Sequence, residues 1–295
     1  MSHHFVNQLI HLMWSTHDLQ NYISPLIKSD LYAYITNTVK AKNGKVFATG
    51  GSTDHIHLLL LLPPEISLSS LLRELKACSS KWIKTKNLAN PEFTWQQGFI
   101  AVTTQTDKVS KVCSYIESDE SRHKSKSYSE ELIFLLKQQN MDYNEKFYLQ
   151  NSHAKMYMHM IWSTHNRIPW IDKSIRPDLY SHMSEIVKKN RGCMHSIGGI
   201  EDHIHILMEA PKDKALADLV KDVKTSAVHW IKKQDPLKYR DFQWQVGYGA
   251  FSLSYSSLEA VKQYIAGQEE HHRKQNFKEE WEEFLQKNGY QRFVH

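Results

Sequence analysis

The sequence is short of the features that would place it outside the ordinary globular class. Cysteine is scarce: Cys78, Cys113 and Cys193 stand far apart with no CxxC pair, which excludes a disulfide framework and a thiolate zinc or redox site. Long apolar runs are missing too, since Leu58 to Leu62 is stopped by Pro63 and Pro64, far short of the roughly 20 residues of a membrane helix. The opening residues, Met1 to His4 and the mixed stretch after them, lack the layout of a secretory signal, so a cytoplasmic location away from membranes is expected. Nor does one sign of charge dominate. A net charge of +5 tolerates a nucleic-acid partner but does not argue for one unaided. With 41% hydrophobic and 23% charged residues the composition also excludes disorder as the main state.

What the chain has in abundance is histidine, 18 in all, and an internal repeat. Trp14-Ser15-Thr16-His17 returns as Trp162-Ser163-Thr164-His165, and Asp54-His55-Ile56-His57 returns as Asp202-His203-Ile204-His205, both 148 residues later. Lys76 and Trp82-Ile83-Lys84 recur at the same offset, while Trp95-Gln96 and Tyr115-Ile116 recur at 149. Ordered motifs at a nearly constant offset indicate two homologous domains. They are expected over 1 to 145 and 153 to 295, with a linker over 146 to 152.

Periodicity gives each half the same order of elements. Strands are expected over Val6 to Trp14 and Lys155 to Trp162, then helices over Asp30 to Lys42 and Asp178 to Lys189. A hairpin follows across Gly50-Gly51 and Gly198-Gly199, into the His-x-His strand. A leucine-spaced helix opened by Ser67 and a strand at Phe99 to Thr103 complete a β-α-β-β-α-β unit, the ferredoxin-like arrangement. The fold class expected is therefore α+β: two tandem ferredoxin-like domains, each with an antiparallel sheet and a C-terminal helix carrying a tyrosine.

Side chains two apart on a strand face the same way, so His55 with His57, and His203 with His205, project together and can share a divalent metal. Histidines on a sheet face are commonly just packed. Their recurrence after an Asp and a Gly-Gly turn in both halves favours a ligand role. A third ligand is needed, and Gln268 is the candidate, four residues and one helical turn beyond Tyr264. In the first half Asp119 stands at that position after Tyr115, a carboxylate competent for Mg²⁺ or Mn²⁺. A tyrosine hydroxyl beside such a metal can act as a nucleophile on a phosphodiester.

These motifs, followed by Tyr264-Ile265-Ala266-Gly267-Gln268-Glu269-Glu270-His271-His272-Arg273, resemble the single-tyrosine HUH transposases of insertion sequences and their REP-associated relatives, present here in tandem. The resemblance implies an enzyme that nicks and rejoins single-stranded or hairpin DNA through a 5′-phosphotyrosine link, using Mg²⁺ or Mn²⁺. Carried over, Tyr115 and Tyr264 are the nucleophiles, and His55, His57, His203, His205 and Gln268 are ligands, Asp119 departing from the pattern. Some members of that family pair the tyrosine of one subunit with the histidines of another, while relatives work as monomers with both in cis. A covalent pseudo-dimer, with Tyr264 serving His55/His57 and Tyr115 serving His203/His205, is thus one expectation. Lys76 and Lys224, Lys124 and Arg273 are candidates for DNA phosphates, and Trp95 and Trp244 for stacking on bases. Two other readings share the motifs: a domesticated DNA-binding protein with little or no cleavage, and a phosphodiesterase using activated water.

Overall fold

The alternating and helical patterns above become the following elements in this computed structural model, which describes residues 4–85, 92–144 and 148–290. The chain opens with β1 (His4–Asn7) and β2 (Leu9–Ser15), then α1 (Pro25–Ala41), β3 (Lys45–Gly51), β4 (His55–Leu61), α2 (Leu68–Thr85) and β5 (Phe99–Thr103). Helices α3 (Val109–Glu117), α4 (Asp119–Arg122) and α5 (Tyr128–Gln138) end the first repeat. The second runs β6 (Ser152–Lys155), β7 (Tyr157–Ser163), α6 (Arg176–Lys189), β8 (Cys193–Gly199), β9 (His203–Glu209), α7 (Leu216–Gln234) and β10 (Tyr248–Ser252). It closes with α8 (Leu258–Ala266), α9 (Gln268–His271) and α10 (Phe277–Lys287).

Each half builds one five-stranded sheet, ordered β3-β4-β2-β5-β6 and β8-β9-β7-β10-β1. The four inner-repeat strands pair antiparallel in the ferredoxin-like order. The fifth strand adds parallel: β6 along β5, with Phe99 opposite Ser152, and β1 along β10, with His4 opposite Tyr248. Strand β2 is buried at every position, because both of its faces are covered. Helices α1 and α2 take one face, α2 through Leu68, Leu71, Leu72, Leu75 and Ile83 at helical spacing. The other face meets α3, where Ile116 packs on Ala48 and Leu59, and α5, where Leu132 and Leu136 pack with Met13, Ile100 and Val102.

Val6 to Trp14 and Lys155 to Trp162 are expected as single strands. Each is two strands, interrupted at Gln8 and at Met156. The compact units accordingly differ from the expected halves: one is Leu9–Met156, the other runs from Tyr157 onward and takes in the opening segment up to Gln8. Of the expected linker, residues 145–147 lie outside the described residues, while Tyr148 and Leu149 pack against the Met13–Leu132 cluster and Ser152 begins β6. Period-two alternation reports that residues are extended, not which strand each segment pairs with. Among the described residues no helix is long and apolar enough to cross a membrane.

Candidate metal and nucleophile centre

The Gly-Gly turns of both hairpins do local work that positions the centre. Gly51 and Gly199 adopt φ of 138° and 149°, which side chains rarely tolerate. Their neighbours Gly50 and Gly198 let the tyrosine helices approach: a Cβ on Gly198 would lie 2.6 Å from the Ile265 carbonyl oxygen, and one on Gly50 would lie 2.7 Å from that of Ile116. Helices α3 and α8 therefore lie against the hairpins at the residue following each tyrosine. The tyrosines face the histidines of their own half, with ring centroids 6.1 Å apart for Tyr115 and His57 and 5.7 Å for Tyr264 and His205. The expected exchange, Tyr264 to His55/His57 and Tyr115 to His203/His205, is corrected by this arrangement, because each helix is anchored on its own hairpin.

All four histidines of the His-x-His pairs are fully buried. Asp54 Oδ1 lies 2.6 Å from His55 Nδ1 and Asp202 Oδ1 2.7 Å from His203 Nδ1, so each carboxylate fixes a proton on Nδ1 and turns Nε2 inward. His11 and His159 sit behind the second histidine of each pair, their Nε2 3.1 Å from Nδ1 of His57 and of His205. Burial drives His11 down to about 3, aided by the neighbouring His57, so this ring is neutral near pH 7. Burial likewise lowers His205 to about 4, leaving its imidazole uncharged near neutrality and able to ligate.

Two further pairs of residues complete the centre, neither expected there from the sequence. The Tyr264 hydroxyl donates to Glu280 Oε1, and the Tyr115 hydroxyl to Glu131 Oε1. His272 Nε2 lies 3.2 Å from Glu280 Oε2, and His123 Nε2 3.0 Å from Glu131 Oε2. Each of these histidines is steadied through Nδ1, by the Gln275 carbonyl at 2.9 Å and the Lys126 carbonyl at 2.7 Å. Burial alone would raise Glu280, but the close His205 and His272 rings and the hydrogen bond from Tyr264 hold it well below the ordinary carboxylate range. Its position in the first turn of α10, behind a capping box of Asn276 and Glu279, adds the favourable end of the helix dipole. Glu131 sits likewise behind Ser127 and Glu130. A signal was present: both pairs recur at the 149-residue offset that relates the two tyrosines.

His55, His57, Asp119, His123 and Glu131 offer ligand atoms within 4.8 Å of one another, as do His203, His205, His272 and Glu280. In the second group Nε2 of His203, His205 and His272, Oε2 of Glu280 and the adjoining Gln268 Oε1 are buried without a hydrogen-bond partner. Converging orphan lone pairs of mixed imidazole and oxygen type fit a divalent cation such as Mn²⁺ or Mg²⁺. Gln268 is buried beside the group, donating from Nε2 to Glu280 Oε1 at 3.2 Å, and Asp119 contacts His55 Nε2 at 3.0 Å.

The residues expected at DNA fare differently. Lys76 donates to the carbonyls of Gln96, Gln97 and Gly98 at 2.8 to 3.0 Å, and Lys224 to those of Gln245 and Gly247 at 2.8 and 2.7 Å. These ammonium groups close the loops before β5 and β10 and are committed to the protein, where the sequence reading had placed them at phosphates. Trp95 and Trp244 are buried, packed edge-on against Trp14 and Phe93 and against Trp162 and Phe242, so stacking on bases gives way to core packing. Lys124 and Arg273 are exposed just beyond the clusters, Arg273 pairing with Glu270 at 2.8 Å.

Two segments of the chain, 4–119 and 152–268, match the family model described as transposase IS200 like. A comparison with curated proteins matched none. Among solved structures, the chain is similar to a transposase candidate from Deinococcus radiodurans R1, at 21% identity and TM-score 0.32, over 39% of this chain and 91% of that one. It is also similar to a REP-associated tyrosine transposase bound to a REP hairpin, at 11% identity and TM-score 0.33, over 40% of this chain and 68% of that one.

Proposed function

This chain belongs to the IS200-like transposases, and from that premise we propose that it nicks and rejoins single-stranded DNA through a tyrosine–phosphate intermediate. The observation that carries the reading is the contact of the Tyr264 hydroxyl with Glu280, itself 3.3 Å from His205 Nε2. Nucleophile, proton acceptor and metal-competent histidines thus share one buried centre. His203, His205, His272 and Glu280, with Gln268 Oε1, would hold the divalent cation. When bound, Mg²⁺ or Mn²⁺ supplies charge that stabilises the developing phosphorane oxygens.

The chain's own residues supply the rest. Burial, then the hydrogen bond to Glu280, raises Tyr264 above the ordinary phenol range, so it waits as the neutral hydroxyl. In the forward step Tyr264 Oη bonds to phosphorus and the bond from phosphorus to the 3′ oxygen breaks, leaving a 5′-phosphotyrosine. The phenolic proton passes to Glu280, and the departing 3′ oxygen receives a proton from the Glu280–His272 pair. Rejoining reverses these transfers. Tyr115, with Glu131 and His123, repeats the constellation, and Lys124 beside Tyr115 and Arg273 beside Tyr264 would each meet phosphates of a strand entering its own half. The tandem chain would act as a covalent pseudo-dimer in the cytoplasm, one polypeptide bringing two such domains to one DNA element.

The test is a denaturing gel with labelled single-stranded DNA from the flanks of the gene, in Mn²⁺. We expect a labelled band at protein mass that Tyr264→Phe abolishes. Cleavage surviving in the Tyr115→Phe/Tyr264→Phe double variant would instead assign activated water, and tight binding without cleavage would assign a domesticated binder.

A further inference from the structure

The two centres differ in how their lone pairs are used. In the later one, five of the converging ligand atoms make no hydrogen bond of good geometry, Nε2 of His203, His205 and His272, Gln268 Oε1 and Glu280 Oε2, although His272 Nε2 lies 3.2 Å from Glu280 Oε2 and His205 Nε2 3.3 Å from Glu280 Oε1. In the earlier one the matching atoms are taken. Asp119 Oδ2 holds His55 Nε2 at 3.0 Å, and Glu131 Oε2 holds His123 Nε2 at 3.0 Å. Arg122 Nη2 reaches Asp119 Oδ1 at 2.5 Å and Glu131 Oε1 at 3.1 Å, leaving His57 Nε2 as the orphan of the set. Arg122 stands where the later half has His271, and its guanidinium lies 3.7 Å from the centre of the Tyr115 ring. The paired changes, Gln to Asp and His to Arg, add one negative and one positive charge together.

We propose that the chain holds one divalent cation, in the His203/His205 centre, and that the Arg122 guanidinium takes the place of a second cation in the His55/His57 centre. A metal entering the earlier centre would have to displace a partly buried cation from two buried carboxylates. The same half is closed on another side. A groove of about 190 Å³ beside Trp162, Phe277 and Trp281 has a counterpart of about 10 Å³ beside Trp14, Tyr128 and Leu132, where Tyr148 and Leu149 pack. The inference rests on the metal-dependent reading above and adds to it that the halves are unequal.

Equilibrium dialysis of the metal-stripped full chain against Mn²⁺, with bound ion counted by electron paramagnetic resonance, tests it without any activity assay. One ion per chain is expected, lost in His205→Ala and kept in His57→Ala. Where His205→Ala does not fold, Gln268→Ala replaces it, with binding weakened tenfold or more. Asp119→Gln/Arg122→His, which copies the later donor set, is expected to raise the count to two. Two ions in the wild type, or loss of the single ion in His57→Ala, overturns the inequality while leaving the metal reading intact. No bound ion overturns both. A double variant that folds and still binds one ion overturns the role given to Arg122.

Discussion

Single side chains decide what each half can do, and the repeat provides its own controls. Trp95 Nε1 donates to Ser79 Oγ at 2.9 Å, whereas Trp244 Nε1 is buried without a partner because Ala227 stands at the matching position. An unmet buried donor costs about 1–3 kcal/mol and a restored hydrogen bond returns about 1. Ala227→Ser should therefore stabilise the later unit by about 1 kcal/mol, read as a rise of about 2–4 °C in its melting temperature; a neutral or lowered value would mean the hydroxyl does not reach the indole. Glu280 gives a second residue-scale prediction. Burial opposes its charge, but its hydrogen bonds hold it below the ordinary 4.5, so folding favours the ionised form. That contribution is fully present above the unfolded value and is lost progressively as pH falls from about 5 toward the folded value, which lies well below it. In chelator, wild type should lose more stability across that window than Glu280→Gln, and parallel curves would remove Glu280 from the acid response.

At the scale of elements, the close contact between hairpin and tyrosine helix is what converts a fold into a centre. Gly198→Ala places a methyl group 2.6 Å from a backbone oxygen of α8, which a side-chain rotation cannot relieve. We expect a stability cost of about 1–3 kcal/mol, and a loss of adduct formation of about a hundredfold, since a displacement of about 1 Å at a reacting group costs that much. Adduct formation at wild-type rate in this variant would show that the helix position is not limiting. The hairpin, its glycines and the His-x-His strand were all legible in the sequence, because spacing of two, turn chemistry and recurrence are local signals. Glu131, Glu280 and His123 were not read, and His272 only as part of the motif that follows Tyr264. On an amphipathic helix a lone Glu looks like solvated surface, and only the closure of α5 and α10 over the sheet buries it. Lys76 and Trp95 failed in the opposite sense. A basic side chain and an indole look like DNA contacts until loop carbonyls and neighbouring rings are in place around them.

For the whole molecule, the consequential feature is that strand addition runs against chain order. The sheet that contains β10 is extended by β1, from the opening of the chain, while the sheet that contains β5 is extended by β6. Four paired positions join β1 to β10, and Tyr290 reaches back to donate to the Val6 carbonyl at 2.9 Å. Edge strands protect the backbone of the strand they cover. Removing residues 1–7 should then raise amide exchange across Tyr248–Ser252 and leave Phe99–Thr103 protected, although the deletion lies next to β2 in sequence. Partition of the chain at 145, as the repeat alone suggests, predicts the reverse, because the lost residues would belong to the sheet of β5. Hydrogen–deuterium exchange with peptide resolution separates the two outcomes. Faster exchange confined to Phe99–Thr103 would return the opening strand to the first repeat.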